Sequence, residues 1–521
     1  MMKSKTPILA VKSFLSNHDR GLLLLVLLGF LSRLSWIAYT NFTEEDAFIT
    51  FRIARHLAEG VGFVYNSGEQ VLGTTSPLFA LILAGWIGFS KDVILGARIF
   101  NLVAMTAACF LLLLALRATG STRPQQAGVL IVFALSSKLI LLDSGGMETA
   151  LVIFLMIASW VTFVRQHLTW TGILLGLLLL TRIDLILWPV AILLVELVSH
   201  PRKALRVGML IFLVTLPWVV FSTAYFGSPI PHTVAAKWVA YAQNDLSPYT
   251  NHLLAVVNYM SPFDQYKEYI SFRNLLAWMT LLVAAWQAVR TSRDRTMLVL
   301  VLFVVLDIAR LVLTRATFFN RYFVPVLVAV LILFGMGLGQ LWDSSRAFPI
   351  LLRVFYSIAL FSLVAMGLVF GGYNAELAKM KQEYRNDGAL GNIGLWLRQN
   401  SSPSATVLLE PLGYIGYYSE RIMLDEVGLV TPQVVALKGQ GISANEYFRI
   451  LQPDYYVLHC DDAMRLQGQI GEVDWGLSER YTLAVTFNPL NYDVLLPDYS
   501  SYGALQRNAC YDVWQRNGDP E

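Results

Sequence analysis

Three carboxylates in a row, Glu44, Glu45 and Asp46, stand just after residues 21–39, an apolar run long enough to cross a bilayer. Arg52 and Arg55 follow shortly after. Acids at a membrane surface meet anionic head groups, so they need a compensating reason to be there. Two chemistries suit them. Thr43-x-x-Asp46 has capping-box spacing, and acids at a helix N-terminus offset its dipole by about 0.3–1 kcal/mol. Alternatively, carboxylates can position or deprotonate a hydroxyl nucleophile. One acid suffices for a cap, and three exceed what a cap needs.

The elements that must hold these acids are membrane elements. The 521 residues are 56% hydrophobic and 14% charged, against about 45–50% and about 25% in soluble domains. The chain therefore reads as a polytopic α-helical membrane protein. Its net charge of +3 decides little, because the placement of charges sets topology. Cys109, Cys460 and Cys510 are too few for a disulfide framework. Cys109 lies in an apolar run and reads as inert; Cys460 and Cys510 share the polar C-terminal region, where pairing requires an oxidising compartment.

Lys3, Lys5, Lys12 and Arg20 precede the first run, and Trp36, Tyr39 and Phe42 close it as an aromatic belt. This predicts an uncleaved signal anchor. Twelve apolar runs end near residue 371. If all of them cross, Arg117, Arg123, Arg165 and the group His200, Arg202, Lys203 and Arg206 fall on the outer side, against the positive-inside rule. If residues 76–90 instead dip in and return, every one of these clusters falls inside. The pattern thus predicts about eleven spanning helices and one re-entrant or interfacial segment, with the N-terminus inside and the C-terminus outside a plasma (inner) membrane. Whether 168–199 crosses twice or forms one kinked element stays open.

Residues 1–372 form the expected membrane module, with 41–93 as its first outer loop. Within the loop, Phe48, Phe51, Ala54 and Leu57 share one helical face and Arg52, Arg55 and His56 lie off it, which predicts an amphipathic interfacial helix over 47–58. Asn66-Ser67-Gly68 predicts a short hairpin turn. Residues 373–521 mix helix-like and strand-like stretches with Pro, Gly and Ser breaks, and read as a soluble α/β extracytoplasmic domain.

The stretch "EEDAFITFRIARHLAEGVGFVYNSGEQVLGTTSPLF" resembles the first extracytoplasmic loop of GT-C fold glycosyltransferases. The similar branch is the bacterial one that includes the mycobacterial terminal arabinofuranosyltransferase, with protein O-mannosyltransferases and lipid A aminoarabinose transferases further off. "SGGMETALVIFL", "LLTRIDLILWPV", "FGSPIPHTVAAKW", "RYFVPVL" and "WLRQNSSPSATVLLEPLGYIGYYSERIMLDEVGL" continue the resemblance, in order, to about residue 430. It implies transfer of a monosaccharide, with inversion, from a polyprenyl-phosphate donor to a cell-envelope glycan, lipid or protein. It also implies a catalytic carboxylate at Glu45 with Asp46 as the second acid. Glu45 stands where the family usually has Asp and reaches one methylene further, so the order within the pair stays open.

A phosphate leaving group requires fixed cations where its charge develops, and arginine binds phosphate oxygens bidentately. Arg182, Lys237, Arg315 and Arg321 are the donor-phosphate candidates, and Lys237 matches the family's loop lysine. Arg55, Glu148, His232 and Arg310 are weaker substrate-binding candidates. Five of these have a plainer reading: Arg182 pairing with Asp184, Arg310 with Asp307, Arg315 and Arg321 snorkelling, and Glu148 complementing a helix N-terminus. No Cys/His cluster has metal-ligand spacing. Glu45, Asp46 and Glu148 could hold a hard divalent ion, but the resemblance implies a metal-independent enzyme, and no cofactor is expected. No dinucleotide or P-loop fingerprint and no nucleic-acid motif appears. The alternatives are a lipid-glycan transporter, which requires charges along a full transmembrane path, and a non-catalytic glycan-binding scaffold on the same fold. Tyr414, Tyr417, Tyr418 and Trp475 suit acceptor binding or an ordinary aromatic core, and the core is the preferred reading.

Overall fold

The computed structural model describes residues 20–242, 248–263, 270–314, 319–345, 349–469, 473–490, 505 and 508–518. Among them, six helices are long and apolar enough to cross a bilayer: Arg20–Thr40, Val93–Ala118, Pro201–Phe226, Arg295–Thr314, Val324–Ser345 and Tyr356–Asn400. Arg123–Leu135 and Ser137–Ser144, bent by 58°, make a seventh if they are one span. The chain is a multi-pass membrane protein. Pro77–Ile87 has 11 residues, about half of what a crossing needs.

Residues 168–199 resolve into two antiparallel helices. Gly172 lies against Val207 and Leu210, and Gly176 against Ile211 and Val214. Both numbers increase together, so Leu168–Thr181 runs parallel to Pro201–Phe226. Lys203 reaches Gln166 and Arg206 reaches Thr169 across the starts of these two helices. The intervening Leu187–Ser199 must therefore travel back, and the 3₁₀ turn Ile183–Ile186 forms the hairpin tip.

The helix Ile350–Met380 continues without a break into a π-helical stretch, Lys381–Gly391, and then Asn392–Asn400. Beyond it lies a five-stranded mixed sheet. Its strands are β1 (Thr406–Leu409), β2 (Ile422–Asp425), β3 (Tyr455–His459), β4 (Tyr481–Phe487) and β5 (Tyr511–Arg516), in the order β2-β1-β3-β5-β4. β1 pairs parallel with β2 and β3, while β5 pairs antiparallel with β3 and β4. Side chains alternate across a strand, and β1, β3 and most of β5 are buried on both faces, whereas the edge strand β4 is largely exposed. Val407, Leu409, Val457 and Val513 join the large core that continues into the membrane helices. Leu408, Tyr456, Leu458 and Trp514 face a second core with Phe448 and Tyr481. Cys460 and Cys510 form a disulfide that ties the end of β3 to the start of β5.

Two local expectations for the first loop fail. Residues 62–73 form no hairpin. Asn66 instead bonds both backbone groups of Met423, giving 2.9 Å and 3.0 Å, and so covers the edge strand β2 with a side-chain amide. The helix Ala47–Ala58 is not interfacial. Arg52 and His56 are buried with Phe48, Phe51 and Ala54, because Arg52 donates to the carbonyls of Gly416 and Arg421, both at 2.7 Å. The polar face that would meet head groups meets the C-terminal sheet region. Tyr414, Tyr417 and Tyr418 pack around Phe48, and Trp475 packs against the second core, as core aromatics.

Candidate active site

The loop 41–46 is fixed from four directions. Arg98 bonds the Asn41 side chain and carbonyl, each at 2.6 Å, and the Thr43 hydroxyl at 3.0 Å. Gln382 accepts from the Thr43 N–H and Asn386 donates to the Thr43 carbonyl, both at 3.0 Å. The Glu44 N–H donates to the Gly145 carbonyl at 2.9 Å. Gly146 has φ +83°, and a Cβ there would lie 3.1 Å from Thr43 and 3.3 Å from Phe51. This accounts for the second glycine of "SGGMETAL": the turn needs a left-handed residue there and has no room for a side chain.

The capping-box explanation of the acids fails. Asp46 occupies the N-cap position of Ala47–Ala58 but makes no side-chain cap hydrogen bond, and the Thr43 hydroxyl is occupied by Arg98. Each acid has a different partner. Glu44 pairs with Lys381 at 3.3 Å, Glu45 accepts a short hydrogen bond from the Gly413 N–H, and Asp46 forms a close ion pair with Arg321.

These acids open onto a cavity of about 290 Å³. From the membrane module, Glu148, Lys237 and Arg321 line it together with the hydroxyl-bearing Thr74, Thr75 and Ser76. Lys381 and Arg385 come from the π-helical stretch, and Glu410 from the sheet region after β1. Lys237 donates to the Tyr322 hydroxyl at 3.0 Å. Glu148 is buried at the N-cap of Thr149–Val164 without a capping hydrogen bond.

The two central carboxyls are driven apart. Burial, and then the adjacent Asp46 charge, raise Glu45 above its ordinary 4.5, with Arg385 offsetting only part of this. Asp46 is also penalised by burial, but Arg321 and Lys237 outweigh that and hold it below its ordinary 3.8. One acid is thus fixed as an anion beside a guanidinium, and its neighbour binds a proton more tightly than an ordinary carboxylate.

Of the residues expected from sequence, Glu45, Asp46, Glu148, Lys237 and Arg321 meet in the cavity, and four others do not line it. Arg182 pairs with Asp184 at 2.6 Å and donates to the Arg321 carbonyl at 3.0 Å, so it braces the turn that carries Arg321. Arg310 pairs with Asp307 within its own helix at 2.7 Å. Arg55 binds Glu420 at 3.3 Å and the Tyr417 carbonyl at 3.0 Å, docking the first-loop helix on 412–419. His232 donates its backbone N–H to Leu72 at 3.1 Å; burial lowers its side-chain pKa. Arg315 lies outside the described residues. No group of three or more His, Cys, Asp or Glu among the described residues is placed to hold a metal ion.

Lys381, Arg385 and Glu410 were not singled out by sequence. The usable signal was "KMKQEYRND", a dense polar run directly after an apolar helix, and the acid within "LLEPLG".

A family model described as a domain of unknown function (DUF8728) matches residues 375–513. No curated protein matches the sequence. Among solved structures, the chain is similar to ArnT from Cupriavidus metallidurans bound to undecaprenyl phosphate, with TM-score 0.58 and 12% identity over 94% of this chain and 97% of that one. It is also similar to the Archaeoglobus fulgidus oligosaccharyltransferase in the apo form, with TM-score 0.57 and 12% identity over 91% of this chain and 75% of that one. Both neighbours are GT-C fold enzymes, and this chain has the GT-C fold.

Proposed function

We propose that the protein is a membrane glycosyltransferase that moves a monosaccharide from a polyprenyl-phosphate donor to a cell-envelope glycan, lipid or protein on the extracytoplasmic face. The observation that carries this reading is the adjacent pair Glu45 and Asp46. Their proton affinities are driven in opposite directions on one wall of a cavity that also presents Lys237 and Arg321. The fold shared with an enzyme crystallised with undecaprenyl phosphate supports a lipid-phosphate donor. The Cys460–Cys510 disulfide supports an oxidising, extracytoplasmic compartment for the sheet region.

In this mechanism Asp46 stays ionised against Arg321 and fixes the local charge. Glu45, once ionised, is the stronger base, and it takes the proton of the acceptor hydroxyl as that oxygen bonds to the anomeric carbon. The carbon–oxygen bond to phosphate breaks from the opposite side, which inverts the centre. The phosphate keeps the electron pair, and its growing charge is met by Lys237 and Arg321.

The test is transfer of radiolabelled sugar from a panel of polyprenyl-phosphate monosaccharides in proteoliposomes, with wild type beside Glu45→Gln and Asp46→Asn. Transfer by wild type that is lost in Glu45→Gln supports the reading. Equal transfer by all three proteins excludes these carboxylates from the chemistry.

A further inference from the structure

Residues 375–513 match a family described only as a domain of unknown function, yet this segment touches each of the three acids or their loop. Lys381 pairs with Glu44, Gly413 donates to Glu45, and Gln382 and Asn386 grip both backbone groups of Thr43. All but Gly413 come from the π-helical stretch Lys381–Gly391. Such wide turns are frequent at functional sites. Gln382 and Asn386 are buried against the loop, whereas Lys381 and Arg385 line the cavity.

The cations lining the cavity differ in how they are neutralised. Arg321 is paired with Asp46, and Lys381 with Glu44. Lys237 and Arg385 have no carboxylate within ion-pair distance among the described residues: Lys237 bonds the Tyr322 hydroxyl at 3.0 Å, and Arg385 bonds the Tyr511 hydroxyl at 3.4 Å. One of these two comes from each wall. The second hydrogen bond is long, so the guanidinium keeps most of its donors for a ligand. Its planar fork suits the oxygens of a phosphate better than a point charge does.

We propose that the segment 375–513 is the second wall of the donor site and that Arg385 binds the phosphate of a polyprenyl phosphate opposite Lys237. This rests on the transferase reading above and assigns to the uncharacterised segment a direct share in binding the donor. It also gives the unbroken helix from Ile350 to the π-helical stretch a purpose, since that helix fixes Arg385 relative to the membrane.

The experiment measures binding of polyprenyl phosphate, and of the corresponding polyprenol, to the full-length protein in nanodiscs. Wild type is expected to prefer the phosphate. Arg385→Gln is expected to weaken phosphate binding tenfold or more and leave polyprenol binding unchanged, and Arg385→Lys recovers part of the loss. Tyr511→Phe is expected to bind as wild type does. A preference for phosphate that persists in Arg385→Gln overturns this inference alone, as does an equal loss in Tyr511→Phe, which would make Arg385 a structural link. A wild type that binds phosphate and alcohol equally overturns both this inference and the donor class beneath it.

Discussion

Gly413 sits where the sheet region meets the acid loop, and Gly413→Ala is a sharp probe of that junction. A Cβ at this position would strike the Glu45 carbonyl oxygen and lie 2.7 Å from Glu45 Oε1, where ordinary contact begins at 3.4 Å. The Glu45 backbone cannot yield easily, because Thr43 is clamped by Gln382 and Asn386 and Glu44 by Gly145. A side-chain movement cannot relieve the clash with the Glu45 backbone oxygen, so the two walls must part and the Glu45 carboxylate shifts from its place. A displacement near 1 Å at a reacting group costs about 100-fold in rate, and overpacking of this kind costs about 1–3 kcal/mol of stability. The expected result is a protein that inserts and stays monodisperse in detergent but transfers sugar about 100-fold more slowly, measured as initial rates at saturating donor. A rate within twofold of wild type would refute the idea that the sheet region positions Glu45.

The acid limb of the pH–rate profile follows ionisation of Glu45, whose pKa is raised, so the rate is expected to climb with pH at values well above 4.5. Glu410 adds to that rise, so Glu410→Gln should move the limb to lower pH; a limb that stays in place contradicts the electrostatics. Cys460 and Cys510 close a loop across 50 residues, worth about 4 kcal/mol in chain entropy. Denatured protein is expected to take one maleimide, at Cys109, before reduction and three after it, and Cys510→Ser should lower the melting temperature. Arg33 and Asp143 form a buried ion pair at 2.8 Å between helices, two residues before the Gly145 carbonyl that holds Glu44. Removing one partner by Asp143→Ala should cost about 3–5 kcal/mol, whereas Arg33→Leu with Asp143→Leu should recover most of the lost thermal stability.

The membrane class, the short segment 77–87 and the mixed α/β character of the C-terminal region were legible because apolar runs, and short strand-like stretches set off by Pro, Gly and Ser breaks, are local signals. The acids were legible for a similar reason: three carboxylates beside an apolar run conflict with their surroundings unless something distant compensates. That distant compensation could not be read. Arg321 lies 275 residues from Asp46 in sequence, and Gly413 lies 368 residues from Glu45. Arg52 and His56 were misread for the same cause, since their off-face placement looks identical whether the other surface is lipid or a protein wall. Arg182 shows the opposite case. Its local pairing with Asp184 was visible, and its contact with the Arg321 carbonyl was not, so a candidate phosphate ligand turns out to be a brace. Lys381 and Arg385 were hidden because the polar run that carries them has no apolar stripe to mark which of its faces meets the acid loop.

The most direct measurement separates donor binding from chemistry in Glu45→Gln. Donor affinity is read in nanodiscs, and single-turnover transfer is followed with preloaded polyprenyl-phosphate sugar and excess acceptor. The expected result is donor affinity within threefold of wild type and a single-turnover rate lowered at least 100-fold, in line with the loss of a general base. Undiminished single-turnover transfer in Glu45→Gln would contradict the assignment of Glu45 as the base.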